Sequence, residues 1–199
     1  MNWEGAFEDF VDALWRRLER GVETTEDTVR YYFFNSLIRQ GVDLDSLTLE
    51  KEHATLKGVS VDLYFATLPR PHCVEIKYHR SPTRGGQRTI QFGEVLADLY
   101  KLAFLHPTAK GLFLYVADQG MQTYDKFGFP LLLNSSTAFP FVLDDALLLQ
   151  VQQKAKSAWA KIRSELGREP WGMRIEVGRL WARKSDFQAA YLFELISRG

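Results

Sequence analysis

Cysteine is nearly absent: Cys73 is the single one in a chain of 199 residues. That excludes an intramolecular disulfide and a multi-cysteine zinc site, and it fits a reducing compartment. An excess of one charge is missing too. Lys and Arg number 25 and Asp and Glu number 25, which excludes a histone-like polycation and an acidic disordered tail. A zero total still permits charge to be segregated along the chain. No apolar run approaches the ~20 residues of a membrane span. The N-terminal MNWEGAFEDFVDALW carries acids where a signal peptide needs positive charge and an unbroken apolar stretch. These features lead us to expect a soluble, cytoplasmic protein. Neither G-x-x-x-x-G-K-[ST] nor G-x-G-x-x-G occurs, so nucleotide or dinucleotide use is not indicated. Internal repeats, low-complexity segments and an interdomain linker are likewise lacking, and one domain of 1–199 is expected.

What is present is patterned. Trp3, Ala6, Phe7, Phe10, Val11, Leu14, Trp15 and Leu18 form a helical stripe that Gly21 stops. A second helix follows, capped by Thr24 or Thr25 and closed at Gly41. Glu26 and Asp27 suit its positive N-terminal end. The pattern then changes to period two. Val59, Val61, Leu63 and Phe65 alternate with Ser60, Asp62, Tyr64 and Ala66. After LPRPH, Val74, Ile76 and Tyr78 alternate with Glu75, Lys77 and His79. Two such strands joined by a short Pro-containing loop read as an antiparallel pair, with LTLEKEH from Leu47 as a preceding strand. A polar, Gly-rich loop leads to a helix over about 89–105. The apolar run Gly111 to Ala117 suits a strand covered on both faces. A long helix is expected over about 144–166, then a closing hairpin that turns near Lys184–Asp186. The class is α/β, with a central mixed β-sheet flanked by helices.

The most informative residues are Asp62 and the run Glu75-Ile76-Lys77. Glu75 and Lys77 share a strand face, and hairpin pairing can bring Asp62 beside Glu75. Two converging carboxylates make a hard oxygen site suited to Mg²⁺ or Mn²⁺, to which the Ile76 carbonyl can add a ligand. A lysine there can orient or deprotonate a water, or stabilise charge on a phosphate. The competing reading is a solvated polar face, the commonest fate of Glu and Lys two apart on a strand.

The element order and these residues, over roughly 24–118, resemble the PD-(D/E)XK nuclease superfamily, the restriction-endonuclease-like fold. The motif aspartate matches Asp62 in GVSVDLYF, and the (D/E)-x-K matches Glu75-Ile76-Lys77 in CVEIKYHR. Val61 stands where the motif has proline. The acid on the first core helix matches Glu26 in TTEDTVRYYFF. The resemblance implies a metal-dependent nuclease, acting on DNA, with a restriction-endonuclease-like core extended by the long helix and hairpin. It implies that Asp62 and Glu75 bind metal, that Glu26 completes the shell, and that Lys77 is catalytic. The alternative is a non-catalytic nucleic-acid-binding or assembly module on the same fold. A homodimer through the long helix or hairpin is a third reading.

Charge along the chain bears on partners. Met1 to Arg30 holds eight acids and four bases, whereas Arg70 to Arg88 holds five bases and the one acid Glu75. Arg80, Arg84 and Arg88 suit phosphate contact or simply keep a loop solvated. Gln91 can meet a phosphate or water, or cap the next helix. His79 shares the face of Glu75 and Lys77, but partial exposure is the commoner case. Asp98 reads first as an exposed polar position, and second as a partner of Lys101 or a site residue.

Overall fold

A computed structural model describes residues 1–52, 57–66, 69–80, 87–104, 109–118, 121, 139–186 and 188–198. Its elements, in chain order, are α1 (Trp3–Glu19), α2 (Glu26–Arg39), a 3₁₀ turn (Leu44–Ser46), β1 (Leu47–Glu52), β2 (Ser60–Phe65), β3 (His72–His79), α3 (Gln87–Phe104), β4 (Lys110–Asp118), β5 (Phe141–Leu143), α4 (Asp145–Lys154), α5 (Lys156–Leu166), β6 (Ile175–Lys184) and β7 (Gln188–Arg198). The seven strands form one mixed sheet in the order β1-β2-β3-β4-β7-β6-β5. Only β3 and β4 are parallel, joined through α3, and the other neighbours are antiparallel. The α/β class with helices on both faces is as expected.

Two cores follow from the period of two. Val74, Ile76 and Tyr78 of β3, with Leu112, Leu114 and Val116 of β4, are buried beneath α1 and α2. On the other face Cys73, Phe113, Tyr115, Tyr191 and Phe193 are buried beneath α3, α4 and α5. Phe113 and Phe193 are cross-strand partners with ring centroids 6.4 Å apart, a stacking distance that adds to area burial. The β4 run is covered on both faces, as its unbroken apolar character requires.

Four expectations are corrected. The long helix over 144–166 is two helices, broken at Ala155 (φ −133°, ψ 58°). The break lets Leu148 and Val151 on one piece, and Ala158 and Ile162 on the other, reach the same core. Neither proline nor glycine marks it. Val61 leaves the face of Leu63 and Phe65 and joins the α3-side core, so the alternation of β2 slips at Asp62. The polar face of β3 is not solvated: Glu75 and His79 are buried there. Asp98 is buried as well, because α3 lays its charged stripe onto that face.

α3 and α5 touch at backbone distance. A Cβ on Gly93 would stand 2.6 Å from the Ala158 carbonyl oxygen and 2.8 Å from its Cα. Only glycine permits this approach, which carries Lys161 of α5 to Glu94 of α3.

Candidate functional site

The site forms where β2 and β3 part. Their ladder runs from Phe65–His72 to Leu63–Val74 and stops. Beyond it, the β3 amides on that side need other acceptors. Ile76 N–H donates to Asp62 Oδ2 at 2.7 Å, and Tyr78 N–H donates to Glu26 Oε2 at 3.2 Å. Two side-chain carboxylates therefore replace the missing strand. Glu26 is held in place by a capping box: Thr28 N–H donates to Thr25 Oγ1 at 3.2 Å, and Thr25 N–H donates to Thr28 Oγ1 at 3.4 Å.

Each carboxylate also meets a cation. Asp62 Oδ1 accepts from Arg30 Nη2 at 2.6 Å. Glu26 Oε1 lies 3.3 Å from Lys77 Nζ. Asp98 bridges two lysines, with Oδ1 2.7 Å from Lys101 Nζ and Oδ2 3.4 Å from Lys77 Nζ. Lys101 Nζ lies 3.6 Å from Glu75 Oε2, and Glu75 Oε1 is buried without a hydrogen-bond partner. Burial pushes the Glu75 carboxyl well above the usual carboxylate range. Lys101 and Lys77 oppose that shift, and Asp98 and Asp62 add to it. For Lys77, burial pulls downward, yet Asp98 and Glu26 outweigh it and hold the ammonium above its ordinary value. Lys77 is therefore a donor at neutral pH rather than a base.

A second chain of contacts adjoins the first. His79 Nε2 lies 3.0 Å from Glu94 Oε2, and His79 Nδ1 lies 3.1 Å from the Tyr115 hydroxyl. Burial pushes Glu94 upward, but hydrogen bonds from His79 and Lys161 prevail and bring it to about 2. The ionised Glu94 only accepts, so His79 donates to it from Nε2, while Nδ1 shares a hydrogen bond with the Tyr115 hydroxyl. Glu26, Lys77, His79, Glu94, Asp98, Lys101, Lys161 and Glu165 line one polar cleft of about 360 Å³.

The structure thus brings Glu26, Asp62, Glu75, Ile76 and Lys77 together at one strand junction. Arg80 is exposed just past β3, and Arg88 lies half-buried in the first turn of α3. Gln91 Nε2 donates to the Arg80 carbonyl at 3.3 Å, tying the start of α3 to the end of β3. Arg84 lies outside the described residues. Sequence reasoning missed Arg30, Glu94 and Lys161, and ranked Asp98 too low. A signal was present: Glu94, Asp98 and Lys101 fall at i, i+4 and i+7, one charged line on the otherwise apolar stretch from Phe92 to Phe104.

As to a divalent ion, no group of three or more His, Cys, Asp or Glu among the described residues stands ready to hold one. The donor chemistry nevertheless fits. Glu26, Asp62, Glu75 and Asp98 offer carboxylate oxygens at one junction, the hard donors a divalent cation takes, and Glu75 keeps a buried oxygen without a hydrogen-bond partner.

No protein-family model, curated protein or solved structure matches this chain. Among the described residues, no helix is long and apolar enough to cross a membrane.

Proposed function

We propose that this protein is a metal-dependent nuclease that hydrolyses phosphodiester bonds, with DNA as its substrate. The observation that carries the reading is the convergence of Asp62, Glu75, Lys77 and Glu26 at the parting of β2 and β3. Asp62, Glu75 and the Ile76 carbonyl would hold Mg²⁺ or Mn²⁺, with Glu26 completing the shell. Such an ion supplies a Lewis acid and a water of lowered pKa. Lys77, kept as an ammonium by Asp98 and Glu26, orients the attacking water and donates to charge that develops on the phosphoryl oxygens. Asp98 holds both lysines in the cleft. Arg80, Arg84, Arg88 and Gln91 are assigned to the nucleic-acid backbone.

The test is cleavage of plasmid, single-stranded and branched DNA with Mn²⁺ or Mg²⁺. Lys77→Ala should lower the rate roughly 10²–10³-fold, the worth of one well-placed donor, while keeping the fold by circular dichroism. Equal residual activity in wild type and variant refutes the assignment.

The pairing of Asp62, Glu26 and Glu75 with their own cations favours a second reading, a nucleic-acid-binding module without catalysis. It requires DNA binding in EDTA and no Mn²⁺ binding heat. The nuclease reading requires Mn²⁺ heat that Asp62→Asn removes.

A further inference from the structure

Arg30 is the cation of this site that no motif announces. It lies one turn beyond Glu26 on α2, so the two project from one helix face. Glu26 meets Lys77, and Arg30 meets Asp62. Two more carboxylates reach Arg30 Nη1, Glu50 at 3.3 Å and Asp27 at 3.4 Å. Those two are largely exposed, whereas Asp62 is largely buried. Glu50 reaches Arg30 from left-handed backbone (φ +48°), a conformation that disfavours a side chain. It sits where the β1–β2 register passes from Leu49–Leu63 to Lys51–Val61 without pairing Asp62. Although three acids surround Arg30, its Nε is buried and makes no hydrogen bond. The guanidinium fork keeps an unused donor beside the carboxylate assigned to the metal.

We propose that Arg30 is an exchangeable counter-ion: it neutralises Asp62 in the metal-free protein and turns to a nucleic-acid phosphate once a divalent cation takes Asp62. This rests on the nuclease reading above. Two positive groups on one carboxylate repel, most strongly where water is scarce. Asp27 and Glu50 are exposed and retain an arginine only weakly. A phosphodiester accepts the guanidinium fork on two oxygens. Metal and nucleic acid then bind cooperatively, each raising the affinity of the other by the same factor.

A double-mutant cycle of Asp62→Asn and Arg30→Gln tests this, read as binding of a fluorescent DNA oligonucleotide in EDTA. Asparagine keeps an acceptor for Ile76 N–H, so the strand junction survives, but it releases Arg30. Asp62→Asn should bind on the order of tenfold tighter than wild type, the worth of one charged hydrogen bond. Adding Arg30→Gln should abolish that gain and lower the salt slope by about one. If Asp62→Asn tightens binding equally in the Arg30→Gln background, the gain is general charge and the proposal is overturned. An unchanged Asp62→Asn overturns it as well. By calorimetry Arg30→Gln should bind Mn²⁺ more tightly than wild type, and weaker binding counts against exchange. Arg30→Lys serves where Arg30→Gln fails to fold: it keeps the charge without the fork and should give a smaller gain in the Asp62→Asn background. Failure of the nuclease reading itself looks different, with no Mn²⁺ heat in any variant, whether or not the oligonucleotide binds.

Discussion

Gly93→Ala sets two known effects against each other. Alanine in a helix interior is favoured over glycine by about 1 kcal/mol. Here its methyl would lie 2.6 Å from the Ala158 carbonyl oxygen and 2.8 Å from Ala158 Cα. Both are backbone atoms, so no side chain can swing aside. Restoring an ordinary contact of 3.4 Å from 2.6 Å needs α5 to retreat by 0.8 Å. That loosens Ala158, Trp159, Ile162 and Leu166, all of which are buried against the sheet. Overpacking of this kind costs about 1–3 kcal/mol, and dispersion lost along a displaced helix adds to it. We expect a net loss of about 1–2 kcal/mol, and a Tm lower by roughly 2–8 °C at this chain length. Differential scanning calorimetry and urea denaturation measure it. A variant as stable as wild type, or more so, would show that α3 and α5 do not meet as described. The same retreat should draw Lys161 away from Glu94, so the affected property includes the cleft as well as the fold.

Two further outcomes are expected. Asp98→Asn strips the shared counter-charge from Lys77 and Lys101, all three largely buried, and should cost about 3 kcal/mol in urea unfolding; a loss below about 0.5 kcal/mol, the scale of an ordinary surface change, would refute the bridging role. Glu94 titrates at about 2 in the folded chain against an ordinary 4.5, so its stabilisation is fully present above pH 4.5 and disappears as pH falls through about 2. Glu94→Gln should therefore be less stable than wild type near pH 7, with the gap closing between pH 4.5 and 2; a gap independent of pH contradicts the hydrogen bonding of the Glu94 carboxylate by His79 and Lys161.

Much of the fold was legible because burial imposes period. The α1 stripe, the Thr25 cap, the alternation of β2 and β3 and the unbroken β4 run all state which side faces a core. The break at Ala155 was not legible, since that residue is itself a good helix former and the cause is the shape of the core beneath. The slip at Asp62 was hidden for a related reason: its side chain is drawn off its face by Arg30 and Ile76 N–H, partners distant in sequence. Asp62, Glu75 and Lys77 could be picked out from spacing on strands. What covers them could not, because alternation marks two faces without saying that a helix lies over the polar one. That helix converts a solvated row into a buried network and supplies Asp98 and Lys101 to it. Arg30 was legible only as a number in a charge count.

The position of β7 has a consequence for biosynthesis. It is the last strand in chain order, yet it lies between β4 and β6, pairing Leu112 to Asp118 on one side and Ile175 to Lys184 on the other. A chain emerging from the ribosome N-terminus first can assemble β1 to β4 with α1 to α3, but the outer edge of β4 then stays open. That edge is apolar and fully formed, a template for pairing with another nascent chain. It closes only when residues 188–198 arrive and insert. Closure therefore waits on a strand made well after β4, and in that interval the protein depends on whatever shields an unfinished sheet.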